Sequence, residues 1–165
     1  TKRAETDEMT GFYTRAAAER CIGKVLSENE DAMYAFFLFD IDNFKQANDR
    51  FGHVFGDMAI KEFTAVIRGH FRENDILGRI GGDEFAAFLP AENLETVEAK
   101  AKEISLSLSR TFTDGVSSWK MSASIGVAVA PRDGKDFVSL YKNADAALYE
   151  TKQRGKNGYT ISGRL

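Results

Sequence analysis

Two acidic runs in this chain have residue types suited to metal-dependent phosphate chemistry. Residues 81–84 read Gly-Gly-Asp-Glu, and residues 40–42 read Asp-Ile-Asp directly after the apolar residues 33–39. Glycines let a backbone approach a ligand closely, and carboxylate oxygens hold hard cations that meet phosphate. Converging carboxylates can bind two divalent cations about 3.5–4 Å apart, which activate an attacking hydroxyl and stabilise a leaving oxygen. Nucleotidyl transfer requires an arrangement of this kind.

Both runs also have simpler explanations. A β-hairpin with an acidic tip accounts for residues 81–84, and Asp40 and Asp42 could both face solvent where a strand ends. If they are buried, a metal or a cationic partner is expected, because burying an unpaired carboxylate is costly. The presence of both runs favours metal binding. The expected metal is Mg²⁺, with Mn²⁺ as an alternative, because the candidate ligands are oxygens and the sequence has no cluster of soft ligands.

The acidic runs meet only if the strands that carry them are neighbours. Residues 76–80 and 85–89 are apolar and flank the glycine pair, which predicts a β-hairpin with a tight turn. Residues 33–39 form a continuous apolar run, typical of a strand buried on both faces. If that strand lies beside the hairpin, the carboxylates of Asp40 and Asp83 converge at one end of the sheet.

The rest of the chain mixes helix-linked and hairpin-linked strands. The pattern predicts a helix over residues 15–26 with Thr10 as its N-cap, a short helix or turn over 43–50, a loop over 51–57, helices over 55–71, 94–108 and 137–148, and strands over 121–130 and 159–161. This order predicts an α+β fold with a mainly antiparallel central sheet flanked by helices.

The bulk composition limits the class of protein. A chain of 165 residues is long enough for one domain with a sizeable core, and 43% hydrophobic with 28% charged residues is an ordinary globular balance. The net charge of −3, with acidic and basic residues intermixed, does not favour a nucleic-acid surface. The longest apolar run, residues 32–39, is far shorter than a membrane span. Because Cys21 is the only cysteine, an internal disulfide is excluded and a reducing, cytoplasmic location is expected.

Several runs together resemble a known family. Residues 78–85 read Gly-Arg-Ile-Gly-Gly-Asp-Glu-Phe and residues 39–45 read Phe-Asp-Ile-Asp-Asn-Phe-Lys, which closely resembles the GGDEF domain of bacterial diguanylate cyclases. Residues 7–15 are similar to the family's N-terminal motif Asp-x-Leu-Thr-Gly-Leu-x-Asn-Arg, with Thr14 in place of Asn, and residues 124–128 and 144–149 complete the match. The resemblance implies a palm-like nucleotidyl cyclase fold and the condensation of two GTP into cyclic di-GMP and pyrophosphate across a homodimer.

The resemblance also implies metal-binding and catalytic roles. Asp40 and Asp83 match the ligands of two Mg²⁺ ions in each active site, assisted by the backbone carbonyl of Ile41. Glu84 matches a position that aids metal binding or activation of the 3′-hydroxyl. Lys45 matches a cation beside the phosphates and is counted among the catalytic residues.

Other matched positions imply how GTP would bind. They are Asn48 and Asp57, which read the guanine edge, Gly82, where a side chain would block the base, the backbone amides of Asn43 and Phe44, which cradle the β- and γ-phosphates, and Lys152 and Lys156 on the triphosphate. Lys156 stands where the family usually has Arg. Lysine keeps the charge but loses bidentate contact, so a weaker grip on GTP is expected.

Arg72 and Asp75 have two interpretations. An Arg and an Asp three residues apart are most often a surface ion pair that contributes little. Their spacing before Gly81 also matches the family's Arg-x-x-Asp inhibitory site, which binds a product dimer and suppresses activity. The resemblance favours the inhibitory site, where arginine would bind phosphate and guanine edges.

The resemblance leaves other functions open. A non-catalytic module that binds GTP or cyclic di-GMP is the main alternative, although such members usually carry substitutions in the central motif and residues 81–85 have none. A cyclase of relaxed base choice is a third hypothesis, against which the guanine-matching Asp57 argues.

The resemblance also bears on the domain's limits. Residues 1–8 are polar and are predicted to be the end of an upstream linker, with the GGDEF domain at 9–165. A sensor domain of the same chain is expected before Thr1, where a membrane tether of the full-length protein would also lie.

Overall fold

The computed structural model describes residues 5–163, which form eight strands and five helices. The strands are β1 (Tyr13–Thr14), β2 (Tyr34–Ile41), β3 (Ile76–Arg79), β4 (Glu84–Pro90), β5 (Arg110–Thr113), β6 (Ser118–Met121), β7 (Ala123–Ala130) and β8 (Gly158–Ile161). The helices are α1 (Arg15–Glu28), α2 (Phe44–Phe51), α3 (His53–Arg68), α4 (Leu94–Leu108) and α5 (Phe137–Gln153). Within residues 5–163, none of these helices is long and apolar enough to span a membrane.

The central sheet is antiparallel except at its two edges. Its strand order is β1-β3-β4-β2-β7-β8, with β2 paired antiparallel to both β4 and β7. Only the outer pairs, β1 with β3 and β7 with β8, are parallel. β5 and β6 form a separate two-stranded hairpin. The predicted α+β fold with a mainly antiparallel central sheet is confirmed.

The core explains why β2 is apolar along its length. Phe37 and Phe39 pack with α3 and α4 on one face of the sheet, whereas Phe36 and Leu38 pack with α1 and α5 on the other. All four side chains are fully buried. Each burial stabilises the fold by about 1.5–3 kcal/mol. β2 therefore holds its C-terminal residues, including Asp40, on a rigid base.

Three local predictions are wrong. The N-cap of α1 is Thr14, whose hydroxyl accepts from the N–H of Ala17, while Thr10 caps a turn by bonding to Asp7. Residues 53–57 are helical rather than a loop, because Gly52 alone separates α2 from α3. The single strand predicted over residues 121–130 is broken at residue 122, and the β5–β6 hairpin before it was missed because Arg110–Thr113 and Ser118–Met121 are short and largely polar.

Candidate active site

Asp40 and Asp83 meet at one end of the central sheet. Asp40 lies opposite Glu84 in the β2–β4 register, and the backbone N–H of Ile41 donates to the carbonyl oxygen of Asp83 at 3.2 Å. The two carboxyl groups lie close enough for the charge of Asp40 to raise the pKa of Asp83. From α5, the Lys152 ammonium forms an ion pair with Asp40 Oδ2. The pairing of β2 with β4 thus brings Asp40 and Asp83 close together in space, although they are far apart in sequence.

A cavity of about 180 Å³ opens beside this pair. Most of the residues expected to handle metal and phosphate line it. The full lining is Asp40, Ile41, Asp42, Asn43, Phe44, Lys45, Gln46, Asp83, Lys152 and Lys156. The structure therefore brings carboxylates and lysines together at a single opening.

Burial and like charge perturb the acid groups. Burial, followed by the charge of Asp40, raises the pKa of Asp83 to about 6. Burial lowers the pKa of Lys152, but its hydrogen bond to Asp40 and the nearby acidic charges outweigh this and leave that pKa raised. The site therefore has negative charge that a single lysine does not fully neutralise.

Glu84 is held by a tyrosine that the sequence did not single out. Burial raises the pKa of Glu84, and the Tyr141 hydroxyl, which donates to Glu84 Oε1 at 2.7 Å, opposes that rise. Burial and the same hydrogen bond raise the pKa of Tyr141 to about 12, so the phenol remains a donor. The Tyr141 ring is stacked on Phe137 and covered by the Arg15 guanidinium at 5.0 Å. One oxygen of Glu84 is thereby fixed to α5.

The donor set suits a hard divalent cation. Among residues 5–163, no group of three or more His, Cys, Asp or Glu side chains is arranged to hold a metal. Mg²⁺ in nucleotide enzymes, however, uses one or two carboxylates and takes its remaining ligands from water and substrate phosphates. Asp40 and Asp83 supply that pair, and a cation between them would relieve the repulsion that raises the pKa of Asp83.

The phosphate side of the cavity is formed at the start of α2. Asn43 has a left-handed backbone conformation, with φ of 57°, and makes no side-chain cap. Its side-chain oxygen instead accepts from the Lys156 ammonium at 2.8 Å. Phe44 and Lys45 begin the helix, so their amides belong to the first turn, where backbone N–H groups have no intrahelical partner and favour anions.

The base-reading positions meet where α2 packs on α3. Asn48 Oδ1 is buried and has no hydrogen-bond partner in the described part of the chain. It lies against Gly56, where a β-carbon would stand 2.8 Å from Asn48 Cγ, so any larger residue would displace the amide. Asp57 is the next residue and is exposed. An unpaired buried amide oxygen is costly, which makes this junction suited to a ligand that donates hydrogen bonds.

The backbone conformation does not explain why residues 81 and 82 are both glycine. Neither Gly81 nor Gly82 has a positive φ, and a β-carbon at Gly82 would meet no atom of the described residues within 4 Å. Arg79 stabilises the loop. Its guanidinium donates to the Gly82 carbonyl at 2.7 Å and forms an ion pair with Asp7 at 3.2 Å. Since the folded chain leaves room for a side chain at Gly82, glycine there is better explained by a ligand that needs the space.

Arg72 and Asp75 lie away from the carboxylates, at a larger cavity of about 480 Å³. Asp75 Oδ2 accepts from the backbone N–H of Arg72 at 2.8 Å, and no ion pair joins the two side chains in the described structure. Arg68 and Phe71 line the same cavity. The exposed guanidinium of Arg72 is therefore not engaged with Asp75, contrary to the ion-pair interpretation.

The fold and site define an α+β domain with a carboxylate-lined, lysine-rich opening suited to a nucleotide phosphate. A family model described as "Diguanylate cyclase, GGDEF domain" matches residues 4–158. The chain belongs to this family.

Relatives with known names support the same grouping. The chain is 36% identical over 155 residues to the bifunctional diguanylate cyclase/cyclic di-GMP phosphodiesterase MucR of Pseudomonas aeruginosa, covering 93% of this chain and 23% of MucR. It is 30% identical over 158 residues to the cyclic di-GMP phosphodiesterase PdeR of Escherichia coli, covering 96% of this chain and 24% of PdeR. The chain thus spans about a quarter of the length of these relatives.

A solved structure has the same fold. The GGDEF domain of DgcB from Caulobacter crescentus, crystallised in complex with c-di-GMP, superposes with a TM-score of 0.90 at 29% identity, covering 99% of this chain and 96% of that chain. The α+β fold is that of GGDEF domains.

Proposed function

We propose that this domain is a diguanylate cyclase that condenses two GTP into cyclic di-GMP and releases two pyrophosphates. The observation that carries the proposal is the single opening that joins the Asp40–Asp83 pair to Lys152, Lys156 and the start of α2. Membership of the GGDEF family supports it. The uncrowded Gly82 and the unpaired oxygen of Asn48 are consistent with a guanine nucleotide at this end of the sheet.

Each residue has a role in this proposal. Asp40, Asp83 and the carbonyl of Ile41 would hold two Mg²⁺ ions, with Glu84 oriented by Tyr141 toward the same end of the sheet. The chemistry that such bound ions supply is activation of the attacking 3′-hydroxyl and neutralisation of the leaving pyrophosphate. Lys152, Lys156, Lys45 and the first amides of α2 would orient the triphosphate, while Asn48 and Asp57 would select guanine.

One active site presents one GTP, so two domains must face each other. Each would supply the 3′-hydroxyl that attacks the partner's α-phosphate. Because the chain spans about a quarter of its relatives' length, the segment that brings two domains together, such as a cytoplasmic or membrane-tethered sensor, would lie elsewhere in the full-length protein.

A second candidate is a regulatory module that binds GTP or cyclic di-GMP without catalysis. The observation in its favour is the similarity to PdeR, which is named as a phosphodiesterase. Residues 81–85 keep the complete central motif, which favours catalysis.

The test is product formation from GTP and Mg²⁺, measured by chromatography for the isolated domain and for a fusion to a parallel dimeric coiled coil. Cyclic di-GMP should form, faster in the fusion, and ATP in place of GTP should give no cyclic product. A dimeric fusion that binds GTP and forms no cyclic product would favour the regulatory module instead.

Product inhibition is expected at the cavity beside Arg72. Replacing Arg72 with Ala should raise the cyclic di-GMP concentration needed for half inhibition by about tenfold or more, because a charge-assisted arginine contact to phosphate is lost. Initial rates at low product should not change. The control is Arg20→Ala, an exposed arginine of α1 that does not line this cavity. If cyclic di-GMP inhibits the Arg72 variant and the wild type equally, Arg72 is not part of an inhibitory product site.

Restoring the family's usual residue at position 156 should tighten GTP binding. We expect Lys156→Arg to lower KM for GTP by about threefold to tenfold, because a guanidinium can contact phosphate bidentately and an ammonium cannot. Its kcat should change less. Lys102→Arg on the exposed face of α4 is the matched control. A higher KM in Lys156→Arg would show that the Lys156–Asn43 contact matters more than bidentate geometry.

A further inference from the structure

Asp42 has no role in the cyclase chemistry described so far, yet it is among the few buried charged residues of the domain. Its side chain is 5% exposed. Oδ1 accepts from the Ser124 hydroxyl at 2.6 Å, and Oδ2 accepts from the Ser122 hydroxyl at 2.7 Å and the backbone N–H of Asn157 at 2.9 Å. The expectation that Asp42 faces solvent is therefore wrong. Hydroxyl and amide donors satisfy it instead.

These hydrogen bonds join three segments. Asp42 directly follows β2. Ser122 and Ser124 flank the start of β7, and Asn157 lies in the turn between α5 and β8. That turn has an unusual backbone, because Lys156 and Asn157 are consecutive residues with φ of 67° and 47°. Non-glycine residues pay strain for such conformations unless other contacts hold them.

The two lysines of the candidate active site lie in this turn and in the end of α5 that leads into it. Lys152, in the last turn of α5, pairs with Asp40, and Lys156 donates to Asn43 at 2.8 Å. Asp40 and Asn43 are two residues before and one residue after Asp42. The hydrogen bond from the backbone N–H of Asn157 to Asp42 Oδ2 thus ties the turn between α5 and β8 to the end of β2, where the two lysines make their contacts.

We propose that Asp42 is a positioning residue for the phosphate-binding lysines. Through Oδ2 it fixes the turn between α5 and β8, so that Lys152 and Lys156 are already placed when a triphosphate arrives. Ser124 on Oδ1 holds the carboxylate but does not touch the turn. The effect on GTP rests on the proposed function, whereas the effect on the turn itself does not.

This role depends on hydrogen-bond acceptance rather than on charge. In Asp42→Asn, the amide oxygen can accept from Asn157 while the amide NH₂ donates to the Ser124 hydroxyl, which can act as an acceptor. Asp42→Ala offers no acceptor at all. A metal-binding or purely electrostatic role would make both variants equally defective. If Asp42 is a positioning residue, the Asp42→Asn variant should keep part of what the Asp42→Ala variant loses.

The first measurement needs no ligand. Amide hydrogen exchange of Asn157 should become at least tenfold faster in Asp42→Ala, recover in Asp42→Asn, and stay near wild type in Ser124→Ala. Ser124→Ala is matched because it also removes a buried hydrogen bond of this carboxylate, and it should lower Tm without releasing the turn. Unchanged exchange of Asn157 in Asp42→Ala would overturn the proposal, whether or not the domain is a cyclase.

The second measurement is the affinity for GTP in the presence of Mg²⁺, by calorimetry. We expect Asp42→Ala to weaken GTP binding by about tenfold, within the range of changes that disturb the support of ligand groups, and to raise KM more than it lowers kcat. Asp42→Asn should recover most of this loss, and Ser124→Ala should show none. Equal loss of affinity in Asp42→Ala and Ser124→Ala would show that general destabilisation is the cause. A wild-type protein that does not bind GTP would instead count against the proposed function.

Discussion

Replacing Asp83 with Asn is expected to reduce cyclic di-GMP formation by about 10³-fold or more. The amide keeps the shape of the side chain but removes the charge that would hold a divalent cation beside Asp40, and electrostatic stabilisation of this kind contributes several kcal/mol to phosphoryl transfer. The loss should appear in kcat, measured with saturating GTP and Mg²⁺ in a dimeric fusion. Asp31→Asn, at an exposed turn, is the control.

The same substitution should stabilise the protein when no divalent cation is present. Because burial and the charge of Asp40 raise the pKa of Asp83 to about 6, the ionised form is unfavourable in the folded state at neutral pH. Removing that charge should contribute about 1 kcal/mol, after allowing for solvent screening of a half-buried group. We therefore expect Tm in EDTA to rise by about 2–4 °C.

The pH dependence of stability follows with a definite sign. Between the usual aspartate pKa of 3.8 and about 6, the folded protein holds a proton on Asp83 that the unfolded chain has released. This contribution to the free energy of unfolding is present below pH 4 and is lost as pH rises through about 6. Asp83→Asn should lack this part of the pH dependence. A variant with lower Tm than the wild type at pH 7.5 would contradict the predicted repulsion.

The sequence predicted the elements that meet at the candidate site better than the contacts between them. The apolar run that becomes β2 and the flanks of the glycine pair, which become β3 and β4, are local signals, and all three strands appear where expected. The convergence of Asp40 and Asp83 needed one further assumption, that these strands are neighbours. The register supplies it by placing Asp40 opposite Glu84.

Most of the contacts that the sequence missed join residues of different helices or strands. Nothing near Tyr141 in the chain indicates that its hydroxyl reaches Glu84, because the two lie on α5 and β4. Gly56 seemed to mark a loop, whereas it is a helical residue that makes room for Asn48. Asp42 seemed equivalent to Asp40 by residue type, but it follows the last residue of β2, and its carboxylate accepts from Ser122, from Ser124 of β7 and from the turn after α5. Ser124, the one serine of the otherwise apolar β7, was the available signal.

The second large effect is expected on stability, from a substitution at Gly126. It lies in β7, opposite Leu38 of β2, at the point where α5 crosses the sheet. A β-carbon there would contact the backbone of Ala144 and Leu148, with 2.9 Å to Leu148 Cα. Real β-carbons do not approach that closely, and a backbone cannot move aside as a flexible side chain can.

We expect Gly126→Ala to lower the free energy of unfolding by about 3 kcal/mol or more, as a severe case of overpacking, and Tm by about 10 °C. Gly23→Ala is a matched control, because Gly23 lies within α1 with nothing within 4 Å of its β-carbon position. There, alanine should stabilise the helix by about 0.5–1 kcal/mol. The comparison, made by thermal and urea unfolding, separates the cost of contact with α5 from the general effect of alanine.

The displacement of α5 should also reach the active site. α5 carries both Tyr141, which holds Glu84, and Lys152, which pairs with Asp40. At a temperature where Gly126→Ala is still fully folded, kcat for cyclic di-GMP formation should therefore fall, whereas Gly23→Ala should retain wild-type activity. Wild-type kcat in folded Gly126→Ala would mean that the sheet yields to the new methyl group while α5 keeps its place, and that Tyr141 and Lys152 are positioned independently of the packing at Gly126.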